Sequence, residues 1–335
     1  MVKLPRPSAV MGDTAGMRGH LVSTNRTSHK PERATAQRLL REGELLWLDV
    51  ESNEPDVMAL LAEVFTLHPL ALKHVVTRDQ RPKLEEYDDF VHLIVYLAQA
   101  VDQPAVEVHC FYSEKFLITL HHGACAALTD LAEHLPKPKD TRVAARLVLL
   151  YQLLAVMTDS FLPVLSEFDD NIDNMHDAII ARPTSRQLTE LSTMKRWLAG
   201  MRRVVLPMRD MLARITAGSV DIPAMDAEAE RYFRDLYSHL IRIGDVIDGH
   251  RDLLTNCMDV YMSMQSNRMN MIMKQLTIAA TVFLPLTFLT GFFGQNFSWL
   301  TEHLSGLVTF LVFGLGTEVV AVAALWLWFR GKRWL

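Results

Sequence analysis

A short polar stretch near the end of the chain contains residue types suited to holding a metal ion. Gly294, Gln295 and Asn296 follow one apolar run, and Glu302 precedes another. Neutral amide oxygens can capture a hydrated cation through hydrogen bonds to its water shell. Carboxylates at the same place would bind the ion too tightly for it to leave. The alternative interpretation is a polar helix cap at a membrane interface.

The two apolar runs are long enough to cross a bilayer. The first, QLTIAATVFLPLTFLTGFFG, covers residues 275–294, and the second covers residues 304–329. A helix of ~20 residues spans the ~30 Å hydrocarbon core. Because only residues 297–303 connect the runs, we predict a transmembrane domain at 276–335 that forms a two-helix hairpin.

Basic residues flank both predicted spans. Arg268 and Lys274 precede the first span, and Arg330, Lys332 and Arg333 follow the second. Lys and Arg close to a span are retained in the cytoplasm. We therefore predict a multi-pass protein of the cell inner membrane with both termini cytoplasmic.

The residues before the first span divide into four segments by pattern. Residues 1–40 have no apolar signal region and predict a disordered tail. Strand-like and helical runs alternate over 41–140, which predicts an α/β domain. Apolar residues at helical spacing over 141–222 predict a long antiparallel helix pair, and residues 223–275 predict a stalk helix that leads into the membrane.

The predicted stalk and first span share a face of small or mildly polar residues at steps of three and four. These residues are Asn270, Met273, Thr277, Ala280, Leu284, Thr287 and Gly291. A single two-span chain cannot enclose a polar path, so transport requires an oligomer with the first span around an axis. The same spacing also fits simple helix–helix packing, and spacing alone does not separate the two interpretations.

Several distant motifs together resemble the CorA family of divalent-cation transporters. LHPLAL, RPKLEEYDDF, KFLITLH and RYFRDLY occur in that family's order. They are followed by YMSMQSNRMNMIMKQLTIAATVFLPLTFLTGFFGQNF, a short loop, a second span and the terminal KRWL. The resemblance covers roughly residues 45–335.

The resemblance implies a CorA-like homopentamer in a lipid bilayer, with a cytoplasmic α/β domain, very long stalk helices and a transmembrane hairpin. It implies inward flow of Mg²⁺, Co²⁺ or Ni²⁺ through a pore of five first spans, with no cofactor and no nucleic acid. The family's signature at the outer pore mouth is Gly-Met-Asn, so Gly294, Gln295 and Asn296 are the expected selectivity filter. Glu302, in the outer loop, would add a negative ring that concentrates cations.

The resemblance also implies which residues line the pore. The matching positions are Asp259, Asn270, Met273, Leu276, Leu284 and Thr287. Asn270 and Thr287 would offer polar groups to the passing ion. Asp259 would form an acidic ring at the cytoplasmic end. Met273 and Leu276 would form a hydrophobic constriction that closes by dewetting.

Metal-dependent gating in Mg²⁺-transporting members rests on acidic residues between subunits. One of these positions matches Asp235, but the other is occupied here by His74, which follows Lys73. An imidazole and a lysine weaken a site for a hard cation and suit a softer metal. We therefore expect that Mg²⁺ does not close this protein through that site.

Glu318 lies in the middle of the second predicted span, where an ionisable side chain is costly and usually functional or paired. Protonation, a contact with the first span and a part in proton-coupled transport are all compatible with the sequence. Together with Gln295 and His74, this residue favours a second function, a Zn²⁺ transporter of the ZntB-like branch that could be proton-coupled.

Other features of the chain favour neither an enzyme nor a zinc centre. No nucleophile motif, phosphate-cradling loop or HExxH is present in the 335 residues. Five residues, His109, Cys110, His121, His122 and Cys125, match no standard zinc-ligand spacing, and we interpret them as ordinary strand residues. A membrane-anchored sensor or scaffold that does not conduct is the remaining alternative.

Overall fold

The computed structural model describes residues 19–23, 26–28, 33–43, 46–51, 55–123, 125–134, 144–295, 297–303 and 306–332. The chain divides into two compact units, Met1–Asp259 and Val260–Leu335. We call them the sheet unit and the helical unit and describe each by itself.

A seven-stranded mixed sheet forms the centre of the sheet unit. Its strands are β1 (Gly19–Ser23), β2 (Arg26–Ser28), β3 (Leu46–Val50), β4 (Lys83–Glu86), β5 (Val91–Leu97), β6 (Val106–Tyr112) and β7 (Leu117–His121). Their spatial order is β2-β1-β3-β7-β6-β5-β4. β3 and β7 run parallel, whereas the other neighbouring pairs are antiparallel. Every residue of β3, β5 and β7 is buried, as expected for strands covered on both faces.

Three short helices cover one face of the sheet. They are α1 (Arg33–Glu42), α2 (Pro55–Glu63) and α3 (Pro69–Val76). Their apolar side chains form one core cluster with alternate strand positions such as Leu46, Leu48, Ile118 and Leu120. Because successive strand side chains point to opposite faces, Trp47, Asp49 and Thr119 project from the other face.

The predicted helix pair contains three helices. They are α5 (Ala145–Asp159), α6 (Phe161–Ala181) and α7 (Ser185–Thr216), and they follow the short α4 (Ala126–Glu133). The expected first helix is interrupted at Ser160 because Pro163 has no N–H for the Asp159 carbonyl and its ring crowds that turn. The Ser160 hydroxyl donates to the Met157 carbonyl at 2.6 Å and accepts from the Ala98 N–H at 2.9 Å.

The stalk and the first apolar run form one helix, α8, from Ala227 to Phe293. It begins four residues later than the predicted start at 223, after Ala224, whose φ is +63°. The Asp226 carboxylate accepts the Ala229 N–H at 2.7 Å and thereby satisfies a free donor of the first turn. Glu228 and Glu230 place further negative charge at the positive end of the helix dipole.

The rest of the helical unit is more varied than a loop and one helix. α9 (Ser298–His303) occupies the connection that the sequence suggested was only a turn. After Gly306, whose φ is +106°, the chain forms α10 (Leu307–Thr309), a π-helical turn (Phe310–Leu315) and α11 (Gly316–Gly331).

Three helical stretches are long and apolar enough to cross a membrane. They are Ala145–Ala181, Ala227–Phe293 and Leu307–Gly331. Half of the apolar window in the first stretch is buried inside the protein, whereas none of the window is buried in the other two. Packing within the sheet unit therefore accounts for the first stretch, and the other two remain as the candidate spans.

The N-terminal boundary requires a correction. The sequence predicted disorder over residues 1–40, but β1, β2 and most of α1 lie in that segment. β1 pairs along its length with β3, from Gly19 opposite Val50 to Ser23 opposite Leu46. Order there comes from this non-local pairing, which local composition does not reveal, and residues 1–18 lie outside the described part of the chain.

Candidate functional site

Five of the six expected pore-lining residues lie on the part of α8 that belongs to the helical unit; Asp259 is the last residue of the sheet unit. The five are Asn270, Met273, Leu276, Leu284 and Thr287. At about 100° per residue, they share an arc of about 120° around the helix. All are exposed in the single chain, with Leu276 at 63% and Leu284 at 73%. Apolar side chains so exposed need lipid or further copies to cover them.

Two threonine hydroxyls of this helix segment bond to their own helix. The Thr287 hydroxyl donates to the Phe283 carbonyl at 2.8 Å, and the Thr277 hydroxyl donates to the Met273 carbonyl at 2.8 Å. Such bonds to the preceding turn leave each hydroxyl oxygen free to accept. Thr287 can therefore offer an acceptor to a water molecule of a hydrated cation.

The last turn of α8 is closed by a glycine. The Gly294 N–H donates to the Thr290 carbonyl at 2.9 Å, and the Gln295 N–H reaches the Phe292 carbonyl at 3.3 Å. A Cβ at Gly294 would lie 3.0 Å from the Thr290 carbonyl oxygen, which is too close for an ordinary contact. Glycine at this position thus lets the chain leave the helix and present Gln295, whose side chain is exposed.

Of the two other residues expected at the outer pore mouth, the structure describes Glu302. Asn296 lies outside the described residues. Glu302 lies on α9 and is exposed, so its carboxylate is free to act on ions in the surrounding water.

Glu318 on α11 contacts α8 through Thr290. The Thr290 Oγ1 atom lies 2.8 Å from Glu318 Oε1 and 2.8 Å from the Leu286 carbonyl oxygen. Contact with the preceding helix was one of the three interpretations that the sequence left open for this acid.

His74 and Asp235, the expected regulatory pair, have separate partners in this chain. His74 Nε2 lies 3.5 Å from Glu85 Oε2 and 3.2 Å from Lys83 Nζ. The exposed Asp235 carboxylate lies 3.9 Å from His239 on the next turn of α8. An ammonium beside the His74 imidazole opposes a second cation there.

The carboxylate next to His74 stays charged. Burial by itself would raise the pKa of Glu85, but a hydrogen bond from Lys83 at 2.7 Å and the nearby His74 outweigh burial and lower the pKa. The lysine thus already supplies the positive charge that a metal would bring to this carboxylate.

The sequence did not single out Asp49, which forms a buried ion pair on the sheet. Its carboxylate accepts hydrogen bonds from Thr119 and from His121 Nε2, which lies 3.3 Å away. His121 Nδ1 donates to the Gly123 carbonyl at 2.7 Å, so both ring nitrogens carry hydrogens. Burial would lower the pKa of His121, but the hydrogen bonds to Asp49 and Cys125 outweigh it and raise the pKa to about 10.

A second polar row on the opposite sheet face was also missed. His109 Nε2 lies 3.0 Å from Glu107 Oε1, and His109 Nδ1 lies 3.1 Å from His92 Nε2. Burial, followed by the charges of His109, His74 and Lys83, lowers the pKa of His92 to about 2. Strand alternation alone places Glu107 and His109 on one face of β6, but the pairing register, with Ile94 opposite His109, is needed to bring His92 beside them.

The five His and Cys residues do not gather into one cluster, although His121 bonds to Cys125. His109 belongs to the row with His92, whereas Cys110 points to the opposite face of β6 and His121 binds Asp49. Among the described residues, no group of three or more His, Cys, Asp or Glu side chains is arranged to hold a metal ion.

Comparison with known proteins identifies relatives that match most of the chain. The family model described as "CorA-like Mg2+ transporter protein" matches residues 42–333. YfjQ of Bacillus subtilis, a protein named for metal ion transport, is 30% identical over 288 residues, which cover 86% of this chain and 89% of that one. The cobalt/magnesium transport protein CorA of Thermotoga maritima is 29% identical and covers 86% of this chain and 83% of its own.

A solved structure and a more distant relative extend the comparison. The complete structure of the CorA magnesium transporter from Methanocaldococcus jannaschii superposes with a TM-score of 0.77 at 22% identity, covering 95% of this chain and 98% of that one. The zinc transport protein ZntB of Yersinia enterocolitica is 21% identical over 86% of this chain and 88% of its own. The fold of the M. jannaschii protein is therefore also the fold of this chain.

Proposed function

The chain belongs to the CorA-like Mg²⁺ transporter family, and from that premise we propose that it moves Mg²⁺, with Co²⁺ and Ni²⁺ as further cargo, into the cell. The observation that carries this proposal is the family match over residues 42–333, which includes both candidate spans and the polar stretch between them. The relatives named for cobalt, magnesium and metal ion transport support it.

We propose that the conducting form is a homopentamer whose pore is lined by the α8 face of Asn270, Met273, Leu276, Leu284 and Thr287, with Asp259 at the inner end. The exposure of this face in the single chain supports the proposal, because a lone helix pair cannot surround an ion. Native mass measurement in detergent is expected to give five chains. Single chains or pairs alone would contradict it.

At the outer end, Gly294, Gln295 and Asn296 act as the filter in this proposal, and Glu302 attracts cations toward it. Support comes from the closure of α8 at Gly294, which presents Gln295 outside the helix. Both termini lie in the cytoplasm in this proposal, and the basic residues that flank both candidate spans support that orientation.

Flux into proteoliposomes tests the function. The full chain is reconstituted with an enclosed Mg²⁺ dye or Zn²⁺ dye, with and without a pH gradient. We expect Mg²⁺ uptake, its abolition by Asn296→Ala, and no change in Gln275→Ala, which alters an amide outside the filter. Unchanged uptake in Asn296→Ala would remove that residue from the filter. A pentamer that moves neither ion would support a scaffold instead.

A Zn²⁺ transporter is the second candidate function. Gln295 in place of the family's methionine and the ZntB relative support it. Zn²⁺ uptake that exceeds Mg²⁺ uptake and increases with inward protons would establish it. Gln295→Met is then expected to shift preference toward Mg²⁺.

We further propose that Mg²⁺ does not gate this protein through His74 and Asp235. The Lys83 ammonium beside His74 supports this, because it already neutralises Glu85. Limited proteolysis of the full chain is expected to show no Mg²⁺ protection that depends on Asp235. Protection that is lost in Asp235→Ala would contradict this proposal.

A further inference from the structure

Pro285 removes one backbone hydrogen bond of α8 close to its end. Pro285 lies inside the helix and has no N–H, so the Thr281 carbonyl lacks its ordinary partner from the following turn. Only Leu286–Phe293 continue the helix to Gly294. Within this short segment, the Thr290 carbonyl accepts the Gly294 N–H at 2.9 Å, so the position of Thr290 sets the position of the helix end.

Thr290 does not lie on the proposed pore-lining face of α8. At about 100° per residue, it lies about 100° around α8 from the centre of the face that carries Asn270 and Thr287. Its hydroxyl contacts Glu318 on α11 at 2.8 Å. Glu318 therefore acts on the end of α8 from the neighbouring helix and not from the ion path.

Counting hydrogens indicates how the contact is made. A threonine hydroxyl has one hydrogen, and the Leu286 carbonyl, also at 2.8 Å, can only accept it. The hydroxyl can donate to either the Leu286 carbonyl or Glu318 Oε1, and both contacts are hydrogen bonds at the same time only when the carboxyl group carries a hydrogen of its own. In the sequence, Glu318 is the only ionisable side chain within residues 277–295 and 307–329, so no cation on either span compensates an ionised carboxylate.

We propose that Glu318 is a positioning residue for the filter: as a protonated acid it donates to Thr290 and so fixes the last turn of α8 before Gly294 and Gln295. This inference rests on the proposed function, because it names what holds the filter in place. It differs from a part in proton coupling, in which Glu318 would have to release its proton during transport.

Substitutions that keep or remove the hydrogen bond test the proposal. Glu318→Gln retains two hydrogens on a side chain of the same shape, and Thr290→Ser retains the hydroxyl. We expect both to conserve uptake and ion preference. Glu318→Leu and Thr290→Val are expected to raise the KM for Mg²⁺ by about 3- to 10-fold and to change the Mg²⁺ to Co²⁺ preference, as the loss of one hydrogen bond between membrane helices implies.

Two controls separate positioning from loss of structure. Thr317→Val removes a hydroxyl next to Glu318 that, within the described part of the chain, bonds the Phe313 and Gly314 carbonyls of the preceding π-helical turn, and it is expected to leave uptake unchanged. The double variant Glu318→Leu with Thr290→Val is expected to be no worse than either single variant, because both remove the same bond. Additive losses, or loss of uptake in Glu318→Gln, would overturn the proposal.

Infrared difference spectroscopy tests the bond without transport. We expect a carboxylic-acid C=O band in the wild-type protein that is absent from Glu318→Gln and shifted in Thr290→Val. A carboxylate signal alone would overturn the proposal. If wild-type proteoliposomes move no divalent cation, the proposed function fails, while the infrared band still decides whether Glu318 is bound to Thr290 as an acid.

Discussion

Asp49 in the sheet unit and Glu318 in the helical unit are both acids on otherwise apolar elements, yet they are held differently. The Asp49 side chain is buried and receives hydrogen bonds from Thr119 and His121, and Trp47 supports Thr119 through a bond of 3.0 Å. Glu318 is half-buried, and its contact with Thr290 is the one that links it to α8 in the described residues.

The difference shows how each unit uses polar groups. In the sheet unit, several partners share one charge, so the loss of any member leaves buried groups unpaired and destabilises the fold. In the helical unit, hydroxyl groups such as Thr277 bond to their own helix, so backbone structure does not depend on distant polar partners. A polar contact between two helices, such as that of Thr290 with Glu318, is therefore not needed for backbone structure and can act in transport.

The largest expected effect is on the buried pair. Asp49→Asn removes the charge that the His121 imidazolium faces, and we expect the free energy of unfolding to fall by about 3 kcal/mol. Urea unfolding of the full chain in detergent, followed by tryptophan fluorescence, measures it. Asp88→Asn, which changes an exposed carboxylate, is the control. Equal midpoints for the two variants would show that the pair does not stabilise the sheet.

Thr119→Val tests whether the network has more than one essential member. It removes a donor to Asp49 and the acceptor of the Trp47 N–H, and the expected loss is about 2 kcal/mol. The same unfolding measurement applies. Thr129→Val, whose hydroxyl bonds only the Cys125 carbonyl in the described structure, is expected to change much less. A Thr119→Val midpoint as close to wild type as that of Thr129→Val would exclude the network.

The two buried histidines predict opposite pH dependences. The pKa of His121 is raised to about 10 in the folded protein, so its stabilisation is complete below the unfolded pKa of ~6.5 and is lost as pH rises toward 10. The pKa of His92 is lowered to about 2, so its contribution is complete above ~6.5 and is lost as pH falls. Stability is therefore expected to be greatest near pH ~6.5, with slopes of about 1 kcal/mol per pH unit.

A single substitution tests the loss of stability at low pH that we assign to His92. His92→Phe keeps a ring in the stack with Phe111, whose centroid is 4.4 Å from that of His92, and removes the titrating group. We expect the stability loss below pH ~6.5 to become shallower while the alkaline side keeps its slope. If the slope of stability against pH below ~6.5 were unchanged in His92→Phe, groups other than His92 would cause the loss at low pH.

The smallest effect is expected in the helical unit. Thr277→Val removes a hydroxyl that bonds its own helix, and the expected change in the free energy of unfolding is below about 0.5 kcal/mol. Urea unfolding of Thr277→Val and Asp49→Asn in parallel compares the helical unit with the sheet unit directly. A loss as large as that of Asp49→Asn would abolish the distinction between the units.

Much of the fold could be predicted from the sequence, and the exceptions have physical reasons. The strand-like runs expected over residues 41–140 include LWLDV, FVHLIVYL, VEVHCFY and LITLH, which form β3, β5, β6 and β7 because buried strands favour continuous apolar runs. KLEE carries three charges and lacks that pattern, yet it forms β4 because Glu85 and its neighbours pair with the edge of β5. Edge pairing of this kind is decided by the neighbouring strand and not by the segment itself.

The candidate site was only partly predictable. Helical spacing placed four of the proposed pore-lining residues on one face of α8, since that requires only the period of the helix; these are Asn270, Met273, Leu284 and Thr287. Asp259 and Leu276 came only from the resemblance to the family. The Thr290 and Glu318 pair could not be deduced, because the residues are 28 positions apart and belong to different helices. Asp49 and His121 are 72 positions apart and meet only because β3 and β7 are parallel neighbours.

The π-helical turn at Phe310–Leu315 immediately precedes the helix that carries Glu318. A π-helical turn holds one more residue than an α-helical turn, and each residue of an α-helix corresponds to about 100° of rotation. Removing one residue from this turn would therefore rotate Glu318 by roughly a quarter of a circle, away from Thr290, without changing either residue. The rotation that the π-helical turn gives to α11 thus determines the partner of Glu318 as much as its acidic side chain does.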